Sequence, residues 1–167
     1  MAIFVANESG AVVDEQRLVD LSRHVLADLG VAPLAELSIL LVDVGTMEKL
    51  HIRYMDEPGP TDVLAFPQDE LDDRPVEDED ESAPPTLLGD VVLCPEVATA
   101  QARSVGHTMT DELDILCTHG ILHLLGFDHA EPEEEQAMFR EQARLIAGWR
   151  SGAPGGSGAP GSAEANG

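Results

Sequence analysis

The sequence is poor in basic residues and contains no long apolar run. It has 9 lysines and arginines against 32 acidic residues, a formal net charge of −23 over 167 residues. Nucleic-acid binding through phosphates needs lysine and arginine contacts, so this composition argues against a broad electrostatic RNA or DNA surface. No apolar stretch approaches the roughly 18 residues of a membrane span. We therefore expect no membrane partner.

Cysteine is also scarce, and the first residues show no export signal. Cys94 and Cys117 are the only two cysteines and form no C-x-x-C pair, which argues against a disulfide framework. Residues 1–10 lack a basic segment and contain Glu8, so a signal peptide is not expected. These features predict a cytoplasmic protein with two free thiols.

The acidic excess is concentrated in one segment. Asp69–Glu81 contains nine acidic residues and one arginine, a net charge of −8. We interpret residues 69–82 as a solvated loop, with a docking surface for a basic partner as the alternative. Residues 151–167 are rich in Gly, Ala, Ser and Pro and too poor in apolar side chains to fold, so we predict a disordered tail. Residues 1–150 then form one domain.

A histidine cluster carries the strongest functional signal. His119 and His123 are four residues apart, so a helix places both imidazoles on one face. Gly126 suits the left-handed turn that ends a helix, and His129 follows where the chain turns back. Three neutral imidazoles suit one Zn²⁺ with a fourth position for water, whereas a packed histidine cluster is the alternative. Cys117 lies about 200° around the helix from His119 and is expected to face the core.

The spacing matches the zincin motif H-E-x-x-H-x-x-G-x-x-H, except that Gly120 occupies the position of the glutamate. Because glycine cannot accept a proton, ordinary peptidase chemistry becomes the alternative function. The remaining general-base candidates are Asp62, Asp90, Asp128 or a metal-activated water alone. Asp128 is adjacent to His129, and we favour it as the partner that holds a ligand histidine in one tautomer.

Strands and helices follow one another along the chain. The patterns predict strands near residues 2–6, 37–42, 61–67 and 87–94, and helices at about 15–29, 43–51, 95–104, 111–125 and 132–147. Thr46 is the predicted cap of the second helix, and Thr108 or Thr110 that of the fourth. This order predicts an α+β fold, a small mixed sheet packed on helices with the histidine helix in the core.

Three segments resemble the bacterial YbeY family. His119–His129 is similar to the family signature H-G-x-L-H-L-x-G-[YF]-D-H. Pro60–Pro67 is similar to P-T-D-V-L-S-F-P, and Leu88–Cys94 is similar to L-G-D-I-x-I-C. Met138 falls where the family has a methionine in its last helix. The resemblance runs from about residue 37 to 147 with the motifs in the family order.

The resemblance implies a zincin-like fold and a single-strand-specific metallo-endoribonuclease. It implies one Zn²⁺ held by His119, His123 and His129. It also implies single-stranded ribosomal RNA as substrate, in 16S rRNA 3′-end maturation and ribosome quality control on the small ribosomal subunit with its basic proteins. Two other functions stay open: a metalloprotease or amidase with an unusual base, and a non-catalytic ribosome-assembly factor with structural zinc.

The sequence departs from the family at one arginine. The family reads roughly L-N-x-x-Y-R before its P-T-D-V segment, whereas this chain has His51 at the asparagine and Met55 at the arginine position. If the region is extended, Arg53 lies on the same side as Met55 because side chains alternate along a strand. Arg53 is then the replacement phosphate ligand, and a solvated surface arginine is the alternative.

Overall fold

The sequence folds into a small sheet with five helices. The computed structural model describes residues 2–31, 34–55, 61–67, 87–127 and 131–151. Its elements are β1 Ala2–Asn7, α1 Glu15–Asp28, β2 Glu36–Leu41, α2 Val44–Met55, β3 Val63–Pro67, β4 Leu87–Leu93, α3 Pro95–Val105, α4 Met109–Leu124 and α5 Pro132–Arg150. The predicted loop 69–82, the tail after residue 151, Asp128 and His129 lie outside the described residues.

The four strands form one mixed sheet in the order β1-β2-β4-β3. β1, β2 and β4 are parallel, whereas β3 pairs antiparallel with β4 at the edge. The register between β2 and β4 shifts so that Leu37 pairs with Gly89 immediately after Glu36 pairs with Leu87. This irregularity is a β-bulge beside Gly89, a residue type that often marks a bulge within a strand. The predicted α+β class with a small mixed sheet is confirmed.

Apolar side chains cover both faces of the sheet. On one face, Val91 of β4 and Ile39 of β2 pack in a core with α1, α4 and α5. On the other face, Val92 of β4 packs in a smaller core with Met47 of α2. Neighbouring residues of a strand alternate between faces, which is why Val91 and Val92 belong to different cores. α4 is thus buried against the sheet, as expected for the histidine helix.

The ends of α4 follow from its sequence. The Thr108 Oγ1 accepts the Asp111 backbone N–H at 3.0 Å, and Asp111 Oδ2 accepts the Thr108 N–H at 3.3 Å, so Thr108 is the cap rather than Thr110. The hydrogen bond from the Thr108 backbone lowers the pKa of Asp111. At the other end Gly126 has a φ of +101°, the left-handed conformation expected of a helix stop.

The structure corrects two predictions on α2. Thr46 does not cap this helix; Asp43 does, because its Oδ1 accepts the Thr46 N–H at 2.8 Å. The helix also extends to Met55, so the stretch around Arg53 is not extended. Residues two apart on a helix project about 200° apart. The strand alternation that placed Arg53 on the side of Met55 therefore does not apply, and Arg53 loses that support as a phosphate ligand.

None of the helices within the described ranges is both long and apolar enough to cross a membrane.

Candidate metal centre

α4 brings two of the predicted ligands together. The Nε2 atoms of His119 and His123 are 3.2 Å apart, and their ring centroids are 4.7 Å apart at an angle of 73°. Two nitrogens in a tetrahedral shell with Zn–N bonds of about 2.0–2.1 Å lie about 3.3 Å apart. The spacing therefore fits two ligands of one Zn²⁺. Both imidazoles are partly buried.

The third predicted ligand, His129, lies outside the described residues, as does its neighbour Asp128. Across the described ranges, no three His, Cys, Asp or Glu side chains are placed to share an ion. Of the three predicted ligands, the structure therefore describes His119 and His123, both on α4. His129 as a ligand and Asp128 as its hydrogen-bond partner stay predictions.

A glutamine that the sequence analysis missed fixes the tautomer of His119. The Nδ1 of His119 lies 2.9 Å from Oε1 of Gln142 on α5. An amide oxygen only accepts hydrogen bonds, so Nδ1 must carry the proton. The Nε2 lone pair is then available on the side facing His123, which is the form a metal ligand needs. The sequence offered one signal for Gln142. It follows Met138, which is buried, by four residues, and this spacing puts both on the same face of a helix.

Phe139 of α5 lies beside the same imidazole. Its ring stacks on His119 with a centroid distance of 6.2 Å and an interplanar angle of 25°. Met138, the preceding residue, is fully buried and fixes α5 to the core. Phe139 itself is 47% exposed. One turn of α5 therefore supplies both a hydrogen-bond acceptor and an aromatic neighbour to the candidate ligand.

The absence of a glutamate at position 120 has a steric reason. A Cβ on Gly120 would lie 2.8 Å from Val91 Cγ1 and 3.2 Å from Val63 Cγ2. α4 therefore approaches β3 and β4 at this residue more closely than any side chain allows. The position between the two histidines is used for packing on the sheet, and it carries no acid or base.

The structure describes the surroundings of two candidate general bases, Asp90 and Asp62. Asp90 precedes Val91, which contacts α4, so strand alternation directs Asp90 to the opposite face, with Val92. The structure thus places Asp90 across the sheet from α4, and it is not a base for this site. The Oδ2 of Asp62 accepts a hydrogen bond from Gln101 Nε2 on α3 at 3.1 Å.

Two buried groups hold α4 against α1. Asp114 is fully buried and accepts two hydrogen bonds from Arg17, at 3.1 Å to Nε and 2.7 Å to Nη2. The hydrogen bond to Asp114 raises the pKa of Arg17. Cys117 lies in the core 3.5 Å from Ser22 Oγ, and burial raises its pKa to about 12. Cys117 therefore faces the core as predicted, with its thiol protonated at neutral pH.

Known proteins of one family resemble this chain over most of its length. The family model described as Endoribonuclease YbeY matches residues 4–150. The endoribonuclease YbeY of Thermobifida fusca is 60% identical over 150 residues, covering 90% of this chain and 95% of the relative. That of Parafrankia sp. is 60% identical over 154 residues, covering 92% and 97%. That of Streptomyces coelicolor is 53% identical over 153 residues, covering 90% and 92%.

A solved structure has a similar fold. The solution structure of TM1509 from Thermotoga maritima has a TM-score of 0.57 and 25% sequence identity, covering 98% of this chain and all of that one. The family model and the relatives both include the segment with His119 and His123. The chain belongs to the endoribonuclease YbeY family.

Proposed function

We propose that this member of an RNA-hydrolase family is a zinc-dependent endoribonuclease specific for single-stranded RNA. The observation that carries the proposal is the pair of Nε2 atoms 3.2 Å apart on α4, with Gln142 holding the proton on the far nitrogen of His119. The proton on Nδ1 leaves Nε2 of His119 as an acceptor, whether toward His123 or toward a metal ion. A metal site needs this form, because the ligand nitrogen must present its lone pair.

The donor set fits zinc, with His129 proposed as the third ligand. When bound, Zn²⁺ supplies a Lewis acid that activates water and neutralises developing charge on a phosphate oxygen. His119 and His123 would hold the ion from one helix face, and the hydrogen bond to Gln142 orients the His119 imidazole. We assign Asp128 the same role toward His129. Gly120 leaves the space between the ligands without a carboxylate, so the zincin-like fold here lacks the peptidase base.

Cleavage of RNA also requires a contact to the phosphate and a proton acceptor. Arg53 is the cationic partner of the RNA backbone that the sequence proposes, since a guanidinium can bind a phosphate through two hydrogen bonds. Its helix, α2, packs with Val92 on the face of the sheet opposite α4. With Asp90 on the other face of the sheet, the proton acceptor is Asp62, Asp128 or the activated water itself. Substituting Asp62 and Asp128 separately by Asn and comparing pH–rate profiles distinguishes these three.

The natural substrate we propose is the 3′ end of 16S rRNA within the small ribosomal subunit, where cleavage serves maturation and quality control. The net charge of −23 opposes tight binding to free RNA. Docking on basic proteins of the subunit, with the acidic loop 69–82 as one contact, brings the RNA to the site. We place this activity in the cytoplasm.

The experiment that tests the proposal compares RNA with protein as substrate. Purified protein is incubated with a structured RNA carrying single-stranded ends and, separately, with casein, each with and without a chelator. We expect RNA cleavage in the single-stranded regions, loss of cleavage with chelator, recovery on adding Zn²⁺, and intact casein. Chelator-sensitive casein cleavage supports the protease alternative. Zinc retained with no cleavage of either supports a structural metal in an assembly factor.

A further inference from the structure

We propose that Phe139 is a stacking platform for an unpaired RNA base next to the cleaved phosphodiester. The inference rests on the proposed endoribonuclease function and adds a substrate contact to it. Single-stranded RNA is recognised largely through bases that stack on aromatic side chains. Phe139 is an exposed aromatic side chain whose ring centroid lies 6.2 Å from that of a candidate metal ligand, His119.

The geometry places the ring at the site and leaves it accessible. The centroid of Phe139 lies 6.2 Å from that of His119, with the planes 25° apart. The two rings are thus nearly parallel neighbours, while 47% of Phe139 remains exposed. A base resting on the exposed part lies within about one nucleotide of a phosphate held beside His119. The stacked base thus belongs to a nucleotide adjacent to the cleaved bond.

The ring is held by a rigid element. Phe139 lies in the interior of α5, between buried Met138 and Gln142, whose amide oxygen hydrogen-bonds to His119. Leu145 continues the buried face of the same helix. A preorganised ring loses little conformational freedom on binding, so its contact with a base is not offset by the entropy of ordering a loop.

The charge of the chain favours stacking over phosphate contacts. With 9 basic against 32 acidic residues, few lysines and arginines are available to neutralise phosphates. Stacking on an aromatic ring requires no positive charge and tolerates any base, because every base presents a π face. An acidic nuclease that selects single strands therefore gains from an aromatic platform at the site.

A second exposed phenylalanine provides a matched control. Phe4 is 58% exposed and lies on β1, at the opposite edge of the sheet from β3, against which α4 packs. Phe4→Ala removes the same exposed ring area without touching the candidate centre. Phe139→Trp keeps an aromatic face at the site, and Phe139→Leu keeps apolar bulk without one.

The test follows stacking directly and cleavage in parallel. Zinc-loaded protein is mixed with single-stranded RNA oligomers carrying 2-aminopurine at successive positions, and fluorescence is recorded before cleavage, since this base loses fluorescence when stacked. KM, kcat and zinc affinity are then measured for each variant. We expect Phe139→Ala and Phe139→Leu to abolish quenching at one position and raise KM about fivefold or more. The kcat and zinc affinity should change less than about threefold, and Phe139→Trp and Phe4→Ala should resemble the parent.

Each other outcome overturns the inference in a distinguishable way. Unchanged KM and unchanged quenching in Phe139→Ala, with cleavage intact, would show that no base rests on this ring. A fall in zinc affinity with unchanged RNA binding would show that the ring only shields His119. If the parent protein neither binds nor cleaves the oligomers, the proposed function itself fails, whatever the variants do.

Discussion

At the scale of single residues, the site depends on which nitrogen of His119 carries its proton. The Oε1 of Gln142 accepts a hydrogen bond from Nδ1–H, 2.9 Å away, and leaves Nε2 facing His123. The four-residue spacing of the histidines was enough to predict that they lie together. Gln142 was not predictable from a motif, since it is 23 residues from His119 and only the packing of α5 on α4 joins them.

Gln142→Ala should lower zinc affinity by about 10- to 100-fold, the usual loss when a ligand histidine loses its hydrogen-bond partner. Without the acceptor, the imidazole samples the tautomer that carries its proton on Nε2 and cannot bind metal. Competition of the apo-protein with a chromophoric chelator measures the change.

Gln136→Ala is the matched control, because Gln136 lies on the same helix with an exposed side chain. Gln136→Ala should leave zinc affinity unchanged. Gln142→Glu, which retains an acceptor oxygen, should keep most of the zinc affinity of the parent protein. Equal zinc affinity in Gln142→Ala and the parent would mean that the hydrogen bond does not support a metal ligand.

At the scale of elements, α4 is positioned by a glycine contact and by its two ends. The Gly126 stop was predictable, and the cap was narrowed to Thr108 or Thr110, because both signals act within one turn of the helix end. The close approach at Gly120 was not predictable, since it depends on Val91 of a distant strand. The cap and the length of α2 were also misjudged, because Asp43 rather than Thr46 satisfies the first N–H groups.

Gly120→Ala should destabilise the fold by about 1–2 kcal/mol. The added methyl meets buried Val91, which is stiff because it is β-branched, and overpacking of this kind costs about 1–3 kcal/mol, partly offset by the better helix propensity of alanine. Urea unfolding measures the difference.

Gly45→Ala is the control, because a Cβ at that helical position has no neighbour closer than 3.8 Å; it should be neutral or stabilising. The loss at Gly120 should shrink in a Val91→Ala background, where the contact is gone. A stabilised Gly120→Ala protein would contradict the packing account.

At the scale of the whole molecule, the negative charge governs how RNA is reached. The composition alone argued against a broad basic surface that binds nucleic-acid phosphates. The order of predicted strands and helices indicated the α+β class. The strand order β1-β2-β4-β3 was not predictable, because it is set by long-range packing of α1 and α4 on one face.

Binding of free single-stranded RNA should therefore depend weakly on salt. We expect a slope of log K against log salt no steeper than about −1.4, the value for two phosphate contacts at about −0.7 each. Neutralising Asp69–Glu81 to Asn and Gln should raise or preserve free-RNA affinity, since it removes repulsion that salt otherwise screens.

The same variant should bind small ribosomal subunits more weakly if the loop docks on basic proteins. Affinities for both partners across a salt series test this. A slope near −4, or lost RNA binding with unchanged subunit binding, would contradict the charge account.

The central claim is that His119 and His123 belong to a zinc centre that cleaves RNA. The most direct measurement is the zinc content and RNA cleavage rate of His123→Ala beside His107→Ala, since His107 is exposed and lies between α3 and α4. We predict that His123→Ala loses stoichiometric zinc and cleavage while His107→Ala keeps both. A His123→Ala protein that retains one zinc per chain and cleaves at the parental rate would contradict the claim.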